Sequence, residues 1–239
     1  MNQPLILKTE LANLSARIAQ MGGMAESQLS DAIEAITRRD SALARRIIDA
    51  DARIDALEAE VERYAVACLS ECGPKGPQLR EVLSAVKIAA DLERIGDLAK
   101  NVAKRTLVLN REEPLKPTHG LTRMGFQALT QLKDVLDAYS GRDTERAVSV
   151  WRRDEDVDEL YNSLFRELLT YMMEDPRVIG LCTHLLFIAK NMERIGDHAT
   201  NIAEIIYYLV HGAHLSDHRP KGDVTSLTRV AFRAPKSSE

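Results

Sequence analysis

Aromatic residues are scarce in this chain, 5% of 239 positions, and there are only 3 cysteines. Cys68, Cys72 and Cys182 are too few to staple a fold of this length, so a disulfide framework is excluded and a reducing cytoplasm is the simplest setting. There is no excess of positive charge either: the formal net charge is −4, which rules out a broad basic field for nucleic acid. Long apolar runs are also missing. The longest stretches without a charged residue are 12 positions, Val178–Ala189 and Ile205–Ser216, against the roughly 20 apolar residues a spanning helix needs. The opening, MNQPLILKTE, lacks the basic head and apolar run of a signal peptide. The expectation is a cytoplasmic chain that meets membranes only through partners. No nucleophile–base set, Gly-rich phosphate loop or zinc-type cysteine cluster appears, so the chain does not read as an enzyme.

What is present is helix-forming. Hydrophobic residues make up 45% of the chain, and Ala, Leu, Ile, Glu and Arg abound. Such side chains lose little freedom on a helix. The pattern predicts an all-α fold of six helices: Leu5–Arg38, Asp40–Ser70 with Asp40 as cap, Gln78–Thr106, Thr118–Tyr139, Asp143–Met173 with Asp143 as cap, and a last helix ending at His211 before Gly212. ECGPKGP at 71–77 breaks the chain, and NREEPLKP at 110–117 is the best boundary between domains. Residues 1–110 and 117–212 read as two bundles, and 213–239 as a polar, weakly basic, disordered tail.

The halves repeat. At an offset of 103, residues 21–57 align with 124–160 with 13 of 37 identical; at an offset of 100, 79–103 align with 179–203 with 10 of 25 identical. The change of offset falls in a turn, where length is cheap to alter. A tandem pair of three-helix bundles follows, with seams such as Ile47, Ile54, Val61 and Cys68 facing Ile88, Leu92, Ile95 and Ala99.

One motif, ERIGD, occurs twice, at Glu93–Asp97 and Glu193–Asp197, and each copy extends to an Asn, Asn101 and Asn201. Spacings of four place these groups on one helix face. The preceding helices offer Asp51 with Asp55, and Asp154 with Asp158. Folding each hairpin antiparallel sets Asp55 level with Glu93 and Asp51 level with Asp97, and likewise Asp158 with Glu193 and Asp154 with Asp197. Four carboxylates then cluster on an exposed face beside each seam. Such charges repel, and a bound cation would remove the penalty; all-oxygen ligands suit Mg²⁺, Mn²⁺ or iron, with Ca²⁺ possible. The plain alternative is a solvated acidic face. Gly96 and Gly196 in the middle of these helices fit either close helix approach or room beside an ion cluster.

These residues carry a resemblance. ERIGDLAKNVA, ERIGDHATNIAEIIYYLVHG and RRDEDVDELYNSLFRELLTYMMEDPR resemble the duplicated signature of the PhoU family, over roughly residues 8–212. The resemblance implies two three-helix bundles, often dimeric, in a negative regulator of the phosphate-starvation response. It implies as partners the ATPase subunit (PstB-like) of the high-affinity phosphate ABC transporter and a sensor histidine kinase (PhoR-like). It also implies multinuclear iron or zinc clusters held by E(D)xxxD motifs, matched here by Asp51/Asp55, Glu93/Asp97, Asp154/Asp158 and Glu193/Asp197, with Asn101 and Asn201 as weaker candidates.

Two other readings stay in view. A carboxylate-bridged di-metal bundle would carry Glu-x-x-His motifs facing the core, and no Glu here has a His three residues on. A purely structural helical scaffold would not need the duplicated acidic pairs. Cys68 and Cys72 read as packing and surface thiols, Trp151 as a packing residue, and one of the adjacent Tyr207 and Tyr208 as exposed.

Overall fold

A computed structural model describes residues 3–114 and 118–215. Eight α-helices and one 3-10 turn make up the described residues, with no strand among them: α1 (Gln3–Arg38), α2 (Ser41–Ala50), α3 (Ala52–Cys72), α4 (Pro77–Leu109), α5 (Thr118–Gly141), α6 (Thr144–Arg152), α7 (Asp154–Glu174), the turn Pro176–Val178, and α8 (Ile179–His211). The all-α, duplicated architecture expected from the repeat is present. Six predicted helices become eight because the second helix of each half is interrupted, at Asp51 and at Arg153.

Local chemistry sets the ends. The Asp40 carboxylate accepts from Ala42 N (2.8 Å) and Leu43 N (2.9 Å), and Asp143 accepts from Arg146 N (2.9 Å). Both corners before these caps use an arginine in the left-handed region, Arg39 (φ 55°) and Arg142 (φ 49°). The strain secures a long cationic arm: Arg39 donates to Leu109 O (3.2 Å) and Glu112 O, fastening the start of the linker, and Arg142 pairs with Glu81. Gly73 and Gly212 end α3 and α8 with positive φ.

The two halves share one continuous hydrophobic core. Its largest helix-to-helix packing joins α4 of one half to α8 of the other. These two run antiparallel, since Arg80 abuts Gly212, Asp91 meets His198 and Asn201, and Arg105 meets His184. Helices α1 and α5 cross beside them through a reciprocal contact. A Cβ on Gly22 would sit 2.5 Å from Leu136 Cδ2, and one on Gly125 would sit 2.8 Å from Ile33 Cγ1. Gly22 and Gly125 occupy the same position of the repeat, as do Ile33 and Leu136. Small residues there let the two backbones approach closely. No described helix is long and apolar enough to cross a membrane. Of the tail, only residues up to 215 are described; the expectation for 216–239 lies outside the described residues.

Candidate functional site

Each acidic cluster is built at a helix break. Asp51 lies between α2 and α3, and Asp154 opens α7 just after the break at Arg153. A new helix start presents unpaired N–H groups and the positive end of a helix dipole, which offsets the cost of burying a carboxylate there. Both are buried, Asp51 at 4% and Asp154 at 3% exposure. A glutamine from the first helix of each half supports the break. Gln28 Nε2 donates to Asp51 Oδ1 (3.1 Å) and Ile47 O (3.4 Å), and Gln131 Nε2 donates to Arg153 O (2.8 Å). Gly96 and Gly196 leave room for those glutamines: a Cβ at Gly96 would lie 2.9 Å from Ile54 Cδ1 and 3.3 Å from Gln28 Oε1, and at Gly196 3.0 Å from Gln131 Oε1. Close helix packing is therefore what these glycines serve.

The sequence predicts an exposed acidic face, and the structure departs from it. Asp51, Asp154, Asp158 and Glu193 are buried; Glu93, Asp97 and Asp197 are half-buried; only Asp55 is exposed. The reason is the helix break with its glutamine, which folds the acidic edge under α1 and α5. Asn101 is half-buried on α4, whereas Asn201 donates to Asp91 Oδ1 (3.3 Å) beside His198 Nδ1 (2.8 Å from the same oxygen), so it serves the α4–α8 seam.

The first cluster carries its own cation. The Lys100 ammonium lies between Asp51 Oδ2 and Asp97 Oδ1, the latter 2.5 Å away. Burial works against its charge, but the hydrogen bonds to Asp51 and Asp97 prevail and hold its pKa above the ordinary lysine range. Arg94 flanks the pair, with Nε 3.4 Å from Glu93 Oε2 and Nη1 3.4 Å from Asp97 Oδ2. Burial, then the Asp97 charge, pushes Glu93 up to about 7. Burial works to raise Asp97, but the contacts with Lys100, Glu93 and Arg94 together hold it below the carboxylate range.

The second cluster is wired differently. Thr200 stands where the repeat places Lys100, and its hydroxyl donates to Asp154 Oδ1 (2.9 Å). Lys190 donates to Glu193 Oε1 (2.8 Å) from over the ring of Tyr161. Glu193 Oε2 and Gln131 Oε1 are buried with no hydrogen-bond partner. Burial raises the pKa of Glu193 against the pull of Lys190, and the charges of Asp197 and Asp158 add to the rise.

An all-oxygen cation fits the two clusters unequally. In the first, Lys100 already fills the position between two carboxylates. In the second, two buried oxygens lack donors, which is the deficit a hard metal ion would satisfy. Among the described residues no three Asp, Glu, His or Cys side chains stand together as a ready ligand set, so the four-carboxylate clusters expected from the sequence are not assembled as such.

Sequence reasoning missed Gln28, Gln131, Lys190 and Thr200, and considered Lys100 only as a partner for Glu93, whereas it pairs with Asp51 and Asp97. A signal existed: Gln28 and Gln131 are identical polar positions of the repeat, and ERIGDLAKNVA and ERIGDHATNIA differ at only three positions, two of them Leu98/His198 and Lys100/Thr200. Elsewhere, Trp151 is buried with Nε1 donating to Glu204 Oε1 (2.9 Å), and Cys68 is buried with Cys72 half-buried beside it. Tyr207 and Tyr208 are both half-buried, against the rings of His211 and His214.

Comparison with known proteins agrees with the duplication. The PhoU domain model matches twice, at residues 18–106 and 121–206. The chain is 54% identical over 218 residues to the phosphate-specific transport system accessory protein PhoU homolog of Caulobacter vibrioides (strain NA1000 / CB15N), covering 91% of this chain and 95% of that one. It is 38% identical over 203 residues to the Escherichia coli (strain K12) phosphate-specific transport system accessory protein PhoU, covering 85% and 84%. Among solved structures, PhoU from Pseudomonas aeruginosa superposes with a TM-score of 0.84 at 37% identity, covering 86% of this chain and 99% of that one. The phosphate transport system regulatory protein PhoU from Streptococcus pneumoniae gives 0.82 at 29%, covering 88% and 99%.

Proposed function

The chain belongs to the PhoU family, and on that premise we propose that it is a regulatory adaptor of phosphate transport. In this reading it represses the phosphate-starvation response by linking the ATPase subunit of the phosphate ABC transporter to a sensor histidine kinase, acting through contacts and not through catalysis. The observation that carries the reading is end-to-end similarity to proteins named as accessory to phosphate-specific transport, at 54% identity over 91% of the chain. The test is a deletion strain carrying a phosphate-starvation promoter fused to a reporter. Derepression in phosphate-rich medium, reversed by the intact chain, is expected. Full repression without the gene would overturn the reading.

The acidic clusters belong to the same proposal as cation sites. The second cluster is the better candidate, because Glu193 Oε2 and Gln131 Oε1 are buried without donors even with Lys190 bound at Glu193 Oε1. Glu193, Asp158 and Asp197 would be the carboxylate ligands of a hard ion such as Mn²⁺, Mg²⁺ or iron. Elemental analysis of protein purified without chelators tests this. Bound metal that is lost in Glu193→Gln/Asp158→Asn is expected; equal metal in both, or none in either, would remove the clusters from the reading.

A further inference from the structure

Beyond the acidic clusters, the two halves differ at a second pair of matched carboxylates. Asp31 and Asp134 occupy the same position of the repeat, but only Asp134 has partners. Asp134 meets Arg153 Nη2 at 2.6 Å and Arg146 Nη2 at 3.0 Å, and Arg146 also reaches Asp137 at 2.8 Å. In the first half Ala50 stands in place of Arg153 and Leu43 in place of Arg146. Glu34, which matches Asp137, is taken by Arg38 at 2.7 Å. Asp31 is left half-buried, without a hydrogen bond or ion pair among the described residues.

The space that an arginine fills in the second half is open in the first. A cavity of about 290 Å³ is bordered by both Asp31 and Ala50, the positions matched to Asp134 and Arg153, which pair in the second half. Met24, Ile47 and Ile54 form its apolar walls. Such walls suit a methylene stem, and a carboxylate suits a planar fork of N–H donors.

The charges agree with a missing cation. Burial works to raise Asp134, but the hydrogen bonds from Arg153 and Arg146 hold it below the carboxylate range. Asp31 is raised, by burial first and then by the Glu34 charge, and the opposing pull of Arg46 comes without a hydrogen bond. Arg46 and Arg53 border the cavity and are exposed. Arg46 stands where the second half has Ser149, and Arg53 where it has Asp156, so neither occupies the position of Arg153.

We propose that the cavity between Asp31 and Ala50 is a socket for a guanidinium group on an apolar stem, supplied from outside the chain. Asp31 is its carboxylate partner, and the group takes the place that the Arg153 guanidinium holds in the second half. A free alkylguanidine and the arginine side chain of another protein present this same chemistry.

Titration of the full chain with agmatine, followed by amide shifts in NMR, tests this, beside butylamine and a capped Ala-Arg-Ala peptide. Agmatine is expected to give saturable shifts around Asp31 and Ala50, and butylamine, whose ammonium lacks the fork, to bind about tenfold more weakly. Asp31→Asn should weaken agmatine about tenfold or more. Ala50→Arg, which rebuilds the pairing of the second half, should block agmatine and raise the melting temperature by about 2–4 °C. Adding Asp31→Asn should cancel that gain. A peptide that binds more tightly than agmatine assigns the socket to a protein's arginine; one that binds no more tightly assigns it to a free alkylguanidine. No saturable shifts with agmatine or the peptide, or equal binding by the parent and Asp31→Asn, would overturn the proposal. So would a melting temperature lowered equally by Arg46→Ala, by Asp31→Asn and by the two together, because the chain's own Arg46 would then fill the socket.

Discussion

The Lys100 ammonium bridges the carboxylates of Asp51 and Asp97, while at the matched position of the second half Thr200 offers a hydroxyl to Asp154. At this one position of the repeat a buried carboxylate thus meets an ammonium in the first half and a hydroxyl in the second. Asp51, with 6% of its side chain exposed, cannot turn to water if the lysine is removed.

Lys100→Ala is therefore expected to destabilise the fold by about 3 kcal/mol or more, the cost of an uncompensated buried charge. Double replacement, Lys100→Ala with Asp51→Asn, should recover much of that loss. Urea midpoints of the two variants and the parent decide it. Equal stability of Lys100→Ala and the parent would show that the pair contributes nothing.

Glu93 makes stability depend on pH. Its pKa is raised from 4.5 to about 7, so between those values the folded chain holds a proton that the unfolded chain has released. Stability from this group is full below about pH 4.5 and falls as pH rises toward 7. Glu93→Gln, which mimics the protonated form, should be more stable than the parent at pH 8 by about 1 kcal/mol, and the advantage should fade by pH 5. Unfolding of metal-free protein at both pH values is the measurement.

Gln131 is wholly buried, and its amide donates to Arg153 O at the break in the second half. Replacing it with leucine leaves that carbonyl without a side-chain donor. A loss of about 1 kcal/mol is expected, the net worth of one hydrogen bond, because Arg153 O keeps the N–H of Asp156 at 3.2 Å. Hydrogen exchange should rise first around residues 150–157, where the helix is interrupted.

The reciprocal glycines should respond unequally to alanine. Gly22 faces the tip of Leu136, a half-buried side chain that can swing, so Gly22→Ala should be near neutral once helix propensity is counted. Gly125 faces Cγ1 of Ile33, a β-branched residue at 1% exposure with no freedom to move. Gly125→Ala should cost about 1–3 kcal/mol by overpacking. Thermal melts of the two single variants separate these outcomes.

The helices, their aspartate caps and the duplication were legible in the sequence because period, cap chemistry and identity at fixed offsets are local signals. The breaks at Asp51 and Arg153 were not. Nothing in IIDADARID or WRRDEDVD stops a helix on propensity alone, and the interruption depends on a glutamine more than 20 residues away in sequence, as with Gln28 and Asp51. For the same reason the acidic edge looked exposed: a heptad count places it beside the seam, and only tertiary packing covers it. Both tyrosines at the end of α8 escaped a simple inside–outside choice because the rings of His211 and His214 shield them.

The crossing of α1 and α5 has a consequence for how this chain could change over time. Gly22 meets Leu136 just as Gly125 meets Ile33, which is the pattern of contacts between two identical subunits related by a two-fold axis. In a true pair of identical subunits every substitution is made twice, once on each side. Joining the two units into one polypeptide removes that coupling while keeping them together at high effective concentration. A lysine could then be fixed at position 100 without being imposed on position 200, so that the two halves hold their buried carboxylates through different partners.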